Sequence, residues 1–480
     1  MAQYNYKQSN FSGGLADSEL SGIKGSVADA VGISIHELPG VVRASQALIK
    51  ESGTTPAVVV DFCKWAFNCS NGNSYWFGDT GHIYKRTSGG TWSDVYTDAG
   101  GAILGATEFN GYIYWATATK LHEMIKTGNW TTDIDSVSTW PKTLDTASYH
   151  PMTVQGLYLF IGNDRKIASV DDVGTFTANG TPDVTFEGLP FTYTIKTIAN
   201  FGIDILLGTQ ITVSFASARI FRWDTTSPYW NTDDDIPEDG INAIWPYENY
   251  ALVQAGTNGS IYYFDGSTLQ RIKRIKGDYA NKTMTVHPGS VCNFRGVPLF
   301  GVSNLSSNPC NQGIYSFGRY SKDYPMALMN EYVSSTGHLT AMEYGALLSI
   351  GSTLLSAFKD STTTAVYGVD AISWSTKYAS AYLTTLAIGG NRDKQKTFSN
   401  YVLAYRSKPT NTDLTLSYDP NFSGSFTSIT LKDQSDYYKM RSQQNVEAGS
   451  IQLKVAFTIS GNYSPELELV YVDFSEKETL

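Results

Sequence analysis

The chain has few cysteines and histidines, no long apolar run and no concentration of positive charge, and each shortage closes off a class of function. Four cysteines in 480 residues, Cys63, Cys69, Cys292 and Cys310, are too few to staple a chain of this length. They read as thiols made in a reducing cytoplasm. The alternative pairs Cys63 with Cys69 and Cys292 with Cys310, each closing a loop inside one repeat. Neither pair has CxxC spacing or a histidine nearby, which argues against a zinc site. The six histidines, His36, His82, His122, His150, His287 and His338, are scattered. No Gly-x-Ser-x-Gly elbow, HExxH, phosphate-binding loop or dinucleotide fingerprint occurs, so no catalytic, cofactor-binding or metal-binding residue is assigned. No apolar run reaches the ~18 residues of a membrane span, and the polar start MAQYNYKQSNFSGG has no secretory character. With 35 Lys and Arg against 45 Asp and Glu, the formal charge of −10 disfavours wrapping nucleic acid, which needs clustered cations. Membrane insertion and sequence-specific nucleic-acid binding are therefore not expected.

What is abundant is aromatic residues (31 Tyr, 22 Phe and 10 Trp) and 43 Gly, a mix that suits many short strands joined by tight turns. A phrase runs through the middle of the chain and is plainest at 111–124, GYIYWATATKLHEM. An apolar strand is followed by a small-residue turn and a second strand opened by an aliphatic anchor. It recurs at 74–86, 157–170, 203–223, 250–264, 297–317 and 346–369. The anchors are Ile83, Leu121, Ile167, Ile220, Ile261, Ile314 and Val366, spaced by about 40–53 residues, as in four-stranded propeller blades. A further short apolar run lies upstream of each hairpin, at 58–60, 103–106, 152–154, 195–198, 241–244, 290–292 and 339–342. One such unit cannot bury both faces of its sheet, whereas seven stacked radially bury a ring of inter-blade cores. The fold expected is all-β: a seven-bladed β-propeller over 56–380, an N-terminal extended arm over 1–55 and a C-terminal β-sandwich over 381–480.

Within the arm, 8–14 and 32–44 read as extended, joined by a small-residue stretch over 15–31 with room for a short helix. The arm's apolar residues, among them Ile33, Ile35, Val41, Val42, Leu48 and Ile49, favour docking over fraying. Three further stretches stand out. Residues 83–92, IYKRTSGGTW, are similar to the Asp-box turn of sialidases through Gly90, Thr91 and Trp92, although Ser88 stands where the acid is usual. Such a turn folds a hairpin and carries no catalysis. The acidic stretch NTDDDIPEDG reads as a solvated inter-blade loop. Asp233, Asp234 and Asp235 lack the calcium-loop spacing that would gather six to eight oxygens, so whether they hold a metal stays open. Trp223, Tyr229, Trp230, Tyr247 and Tyr250 flank it. Exposed together they would suit sugar stacking, but gap-filling between blades is the preferred reading. From about residue 381 the rhythm changes to alternating strands. In one of them Ile451, Leu453, Val455 and Phe457 face one way, while Gln452, Lys454 and Thr458 largely face the other, as in a half-buried antiparallel sheet.

An arm of the form NFSGGLADSEL…GISIHELPGVVRASQAL, a propeller, and a closing sandwich ending IQLKVAFTISGNYSPELELVYVDF resemble virion proteins of tailed bacteriophages. The resemblance implies a non-enzymatic structural protein of the neck, nozzle or tail, made in the host cytoplasm and residing in the virion. Its partners would be copies of itself and other tail or neck proteins. A host-surface glycan is the alternative partner, and a sialidase-like hydrolase the third reading. The resemblance brings no catalytic residues and no cofactors.

Overall fold

The computed structural model describes residues 3–476 apart from 19, 39, 53–57, 137–138, 214–215, 258, 276–283, 305–311, 320, 336–341, 362–364 and 391–393. Cys310, His338 and most of the run at 339–342 therefore lie outside the described residues. Those described form strands, turns and a single 3-10 turn at Ser435–Tyr437, with no α-helix. The chain divides into two compact units, one of residues 50–312 and 337–371, the other of 1–49, 313–336 and 372–480.

The larger unit is the propeller. Its first five blades are four-stranded antiparallel sheets. Their innermost strands are Cys63–Asn68, Gly105–Phe109, Met152–Gln155, Tyr193–Phe201 and Ile241–Tyr247. In the sixth blade Val291–Phe294 pairs with Val297–Asn304, and in the seventh Met342–Ile350 pairs with Thr353–Asp360. Each innermost strand touches the next, and Met342–Ile350 returns to Cys63–Asn68, so the ring of seven closes.

Middle strands are buried on both faces, and the alternation of a strand sends successive side chains into different inter-blade cores. In Tyr112–Ala116, Ile113 and Trp115 enter the core shared with blade one. Tyr114 and Ala116 enter the core shared with blade three. In Ser74–Gly78, Tyr75 and Phe77 face blade two, while Trp76 joins Leu355, Ala357 and Val369 of blade seven. This is why the repeated phrase is an unbroken apolar run instead of an alternating one. Its first hairpin in blade two turns on Asn110 (φ 44°) and Gly111 (φ 86°), the left-handed pair that a two-residue turn matched to strand twist requires.

The anchors Ile83, Leu121, Ile167, Ile220, Ile261 and Ile314 are all buried in strands, but Val366 is 48 % exposed. In blade seven Val369 fills the core in its place, since Val366 only opens its strand. The inner strand of blade one begins at Cys63, beyond the apolar run at 58–60. The Asp-box-like segment joins His82–Arg86 to Trp92–Thr97, with Gly90 N–H donating to Thr87 O at 2.9 Å.

The second unit contains the β-sandwich, two six-stranded sheets. Both ends of the chain enter them. Gln3–Gln8 pairs antiparallel with Glu466–Glu476, matching Tyr6 to Val472, and Ser26–Val31 pairs with Tyr382–Thr385. The stretch with room for a helix is thus a strand, five of whose six residues are buried. Its partner lies some 350 positions away in sequence, and that pairing overrides local preference. Ile451, Leu453, Val455 and Phe457 are buried as expected, while Lys454 turns outward, 3.8 Å from the Tyr382 ring centroid.

Candidate functional site

Neighbouring blades of the propeller are aligned start to start and turn to turn. At the turns, Gln155 Nε2 donates to Gly202 O at 2.9 Å and the Tyr247 hydroxyl to Gly296 O at 3.0 Å. At the starts, His150 N–H donates to Leu104 O at 2.9 Å. The beginnings of the innermost strands therefore surround one end of the central channel, and most of them supply a polar side chain there. Blade one gives Lys64, with Asp79 from its second turn, and blade three gives Tyr149. Blade four gives Lys196, blade five Asn242 and Asp239, blade six His287, and blade seven Glu343 with Lys359.

These groups pair within a blade or between neighbouring blades. Lys64 Nζ lies 2.6 Å from Asp79 Oδ2, and Lys359 Nζ lies 3.1 Å from Glu343 Oε1. His287 Nε2 is 3.7 Å from Glu343 Oε2, and its ring meets Phe62 edge-on with centroids 5.4 Å apart. Lys196 Nζ donates to Asn242 Oδ1 at 2.7 Å and sits 5.3 Å from the Tyr149 ring centroid. Asn242 Nδ2 in turn donates to Gly256 O, which fixes the amide. Burial lowers the Lys196 pKa to about 8, with Asp239 pulling the other way. Burial also lowers the pKa of His287. Attraction to the nearby Glu343 carboxylate opposes that, while the charges of Lys64 and Lys196 add to it. Burial alone would raise the Glu343 carboxyl, but His287 and Lys359 outweigh it and hold the carboxyl below its ordinary value. The result is a mixed-charge ring, able to grip a charged group by hydrogen bonds and field.

The residues singled out by sequence lie elsewhere. Asp233, Asp234 and Asp235 belong to Thr232–Ile236, the outer strand of blade four, and not to a loop. Arg219 on the neighbouring strand takes two of them, bonding Asp233 and, through Nε at 2.7 Å, Asp235. The third points to the opposite face, where Asp233, Asp235 and Asp265 add to the burial that raises its pKa. No group of three or more metal-ligating side chains occurs among the described residues. The five aromatics do not form one platform. Trp223 is fully buried between blades three and four, and half-buried Trp230 packs against the same core, meeting Phe221 edge-on at 5.2 Å. Tyr229 alone projects, 58 % exposed, while Tyr247 and Tyr250 meet edge-on at the first turn of blade five. Cys63, Cys69 and Cys292 carry free thiols. The channel ring went unseen in the sequence because its members come from different blades, and their only shared signal is a polar residue at or just before an inner strand.

No protein-family model matches the chain, and no curated protein matches it. Among solved structures it is similar to the WD40 β-propeller domain of Doa1, with 10 % identity, 69 % of this chain and 96 % of that one covered, and TM-score 0.45. It is likewise similar to the Neurospora crassa Pan2 WD40 domain (10 % identity, 70 % and 97 % covered, TM-score 0.45). The computationally designed Ika8 protein is a third (12 % identity, 68 % and 99 % covered, TM-score 0.42). At these values the likenesses say nothing of what the chain binds or does, and the fold rests on its own closed ring of strands.

Proposed function

We propose that this protein is a non-enzymatic structural subunit of a tailed-bacteriophage virion, in the tail or head–tail region, which assembles with copies of itself and with neighbouring tail proteins. The observation that carries the reading is how the chain ends are used. The first and last strands pair along their length, Gln3 against Ser475 through Gln8 against Val470. Among the described residues that leaves Gln3–Gln8 at the edge of its sheet. Such an edge offers unpaired N–H and C=O groups to a further strand, the simplest route by which identical subunits add to one another. The propeller supplies a rigid frame whose loops can vary without refolding the strands. In its channel ring Asp79 and Glu343 are each paired with a lysine.

The test is deletion of the gene from its phage, followed by electron microscopy of the particles, with the tagged chain restored in trans. The reading expects particles with incomplete or absent tails and a label at the tail or neck. Intact, tailed and infectious particles would overturn it. A host-surface glycan-binding module is the second reading, favoured by exposed Tyr229 beside Trp230. It expects intact particles that fail to adsorb.

A further inference from the structure

The sheet that takes in both ends of the chain has two unlike sides. Its order runs from Gln3–Gln8 through Glu466–Glu476 and Lys396–Ser407 to Lys439–Ser442 and Lys432–Gln434. On the far side the last strands, Lys432–Gln434 and Val446–Ala448, have three residues each and carry charge, the usual guards of an exposed edge. Gln3–Gln8 has none of these guards. Its six residues pair with Glu466–Glu476 without a bulge, it contains no proline, and its single charge, Lys7, lies on the face away from the core. Among the described residues no strand lies on its other side.

A second observation concerns the side chains. Strand alternation puts Tyr4, Tyr6 and Gln8 on the core face, opposite Phe474, Val472 and Val470, and leaves Gln3, Asn5 and Lys7 on the other. On the core face a row of rings crosses the sheet. Phe398 lies opposite Phe474 with centroids 5.3 Å apart, and Tyr4 lies opposite Phe474 on its other side, stacked at 5.5 Å. Phe398 is fully buried, yet the row stops at Tyr4, which is 45 % exposed. A further strand with an aromatic ring at that position would continue the row and cover it.

We infer that two copies of this chain join through Gln3–Gln8 about a two-fold axis, the strands antiparallel and the two sheets made one. The sequence QYNYKQ fits itself in this way. Opposed residues of an antiparallel pair share a face, so odd positions meet odd and even meet even. An axis through Asn5 sets Tyr4 against Tyr6 of the second copy and Lys7 against its Gln3. The aromatic row then continues, and no like charges are opposed. An axis through Tyr6 would instead set Tyr4 against buried Gln8, whose amide already donates to Ser26 O at 3.0 Å. The short, charged far edge offers no such match, so the contact is isologous and closes at two copies. The inference deepens the assembly reading and rests on it, naming which strand the edge receives and in which register.

The test uses the full-length protein. Sedimentation and light scattering should find a dimer that dissociates on dilution. Tyr4→Lys, which points a charge into the join from both copies, should raise the dissociation constant roughly tenfold or more. Tyr437→Ser, in the turn beside the opposite edge, should leave it unchanged. The register is read by oxidative crosslinking, compared with wild type and its own four cysteines. Asn5→Cys should link to itself, and Gln3→Cys should link to Lys7→Cys but not to itself, with the joined peptides identified by mass spectrometry. These three positions are exposed and off the core face, so the fold is retained. A protein that stays monomeric up to its solubility, a dimer indifferent to Tyr4→Lys, or Gln3→Cys linked to itself would each overturn the proposal. The purified chain alone is read here, so this failure is distinct from that of the virion reading, which the gene deletion decides.

Discussion

Glu123 offers a direct measure of what the propeller's inter-blade packing costs a charge. It lies on Lys120–Ile125 in blade two, 4 % exposed, opposite Tyr114 across the strand pair. Burial, reinforced by the nearby charge of Asp135, raises its pKa from 4.5 to about 7, against the pull of Lys142 and a hydrogen bond from Tyr114. The folded protein therefore holds this proton over a range in which the unfolded chain has released it. Stability linked to Glu123 is fully present below pH 4.5, declines as pH rises, and is lost above about pH 7. At about 1.4 kcal/mol per unit, the ceiling on that loss is roughly 3 kcal/mol, and relaxation around the carboxylate brings the expected value to about 1–2 kcal/mol.

Glu123→Gln keeps the shape and an acceptor for Tyr114 and removes the titration. Urea denaturation followed by tryptophan fluorescence should find the variant close to wild type at pH 4.5 and more stable at pH 8 by that amount. Groups away from Glu123 titrate alike in the two proteins, so the difference reports this carboxyl and its immediate neighbours. A variant less stable than wild type at pH 8, or a gap that does not change with pH, would refute the reasoning.

Three further perturbations test the frame. Asp98, after the last strand of blade one, accepts from Trp115 Nε1 of blade two at 2.7 Å and from Gly100 N–H at 2.7 Å, with His122 Nε2 3.6 Å away. Asp98→Ala should cost about 2–3 kcal/mol in urea melts by orphaning the buried indole N–H, and wild-type stability would count against the clamp. A Cβ at Gly105 would overlap the His150 carbonyl oxygen where blades two and three meet at the ring. Gly105→Ala should therefore lower stability by about 1–3 kcal/mol, visible as a lower melting temperature. Removing residues 1–8 uncovers Glu466–Glu476, and hydrogen exchange at its amides should accelerate while the propeller's blades keep their protection.

The sequence made the beat of the blades legible because middle strands such as Ser74–Gly78 are apolar on both faces and carry a strong local signal. The inner strands were harder to read. Cys63–Asn68 sends Cys63 and Ala66 to the core shared with blade seven and Trp65 and Phe67 to the one shared with blade two, but only Cys63 is fully buried, so its pattern is weak and the nearby apolar run at 58–60 drew the boundary too early. Asp233–Asp235 looked like a loop because three acids have poor strand preference. The pairing of Thr232–Ile236 with Ala218–Trp223 and the reach of Arg219 supply in three dimensions what propensity withholds. The candidate site was not legible at all, since Lys64, Lys196, His287 and Glu343 become neighbours only when the ring closes.

That closure also explains why the charge sits where it does. Inner strands approach so closely at their starts that Gly105, Gly289 and Gly345 face backbone atoms of other strands with no room for a Cβ. Where backbones are this near, side chains at the adjoining positions have nowhere to go but the channel. Apolar groups placed there would meet water, and charged ones must find partners nearby. Lys64 and Lys359 do so with carboxylates; Lys196 does so with an amide and an aromatic face, a weaker arrangement for a cation. A scaffold with no use for its channel would be more stable with that lysine paired or replaced by a neutral residue. Lys196→Gln should accordingly match or exceed wild-type stability in urea melts. If the variant is instead destabilised by more than about 2 kcal/mol, Lys196 holds the inner strands together as a cation and this account of the ring fails.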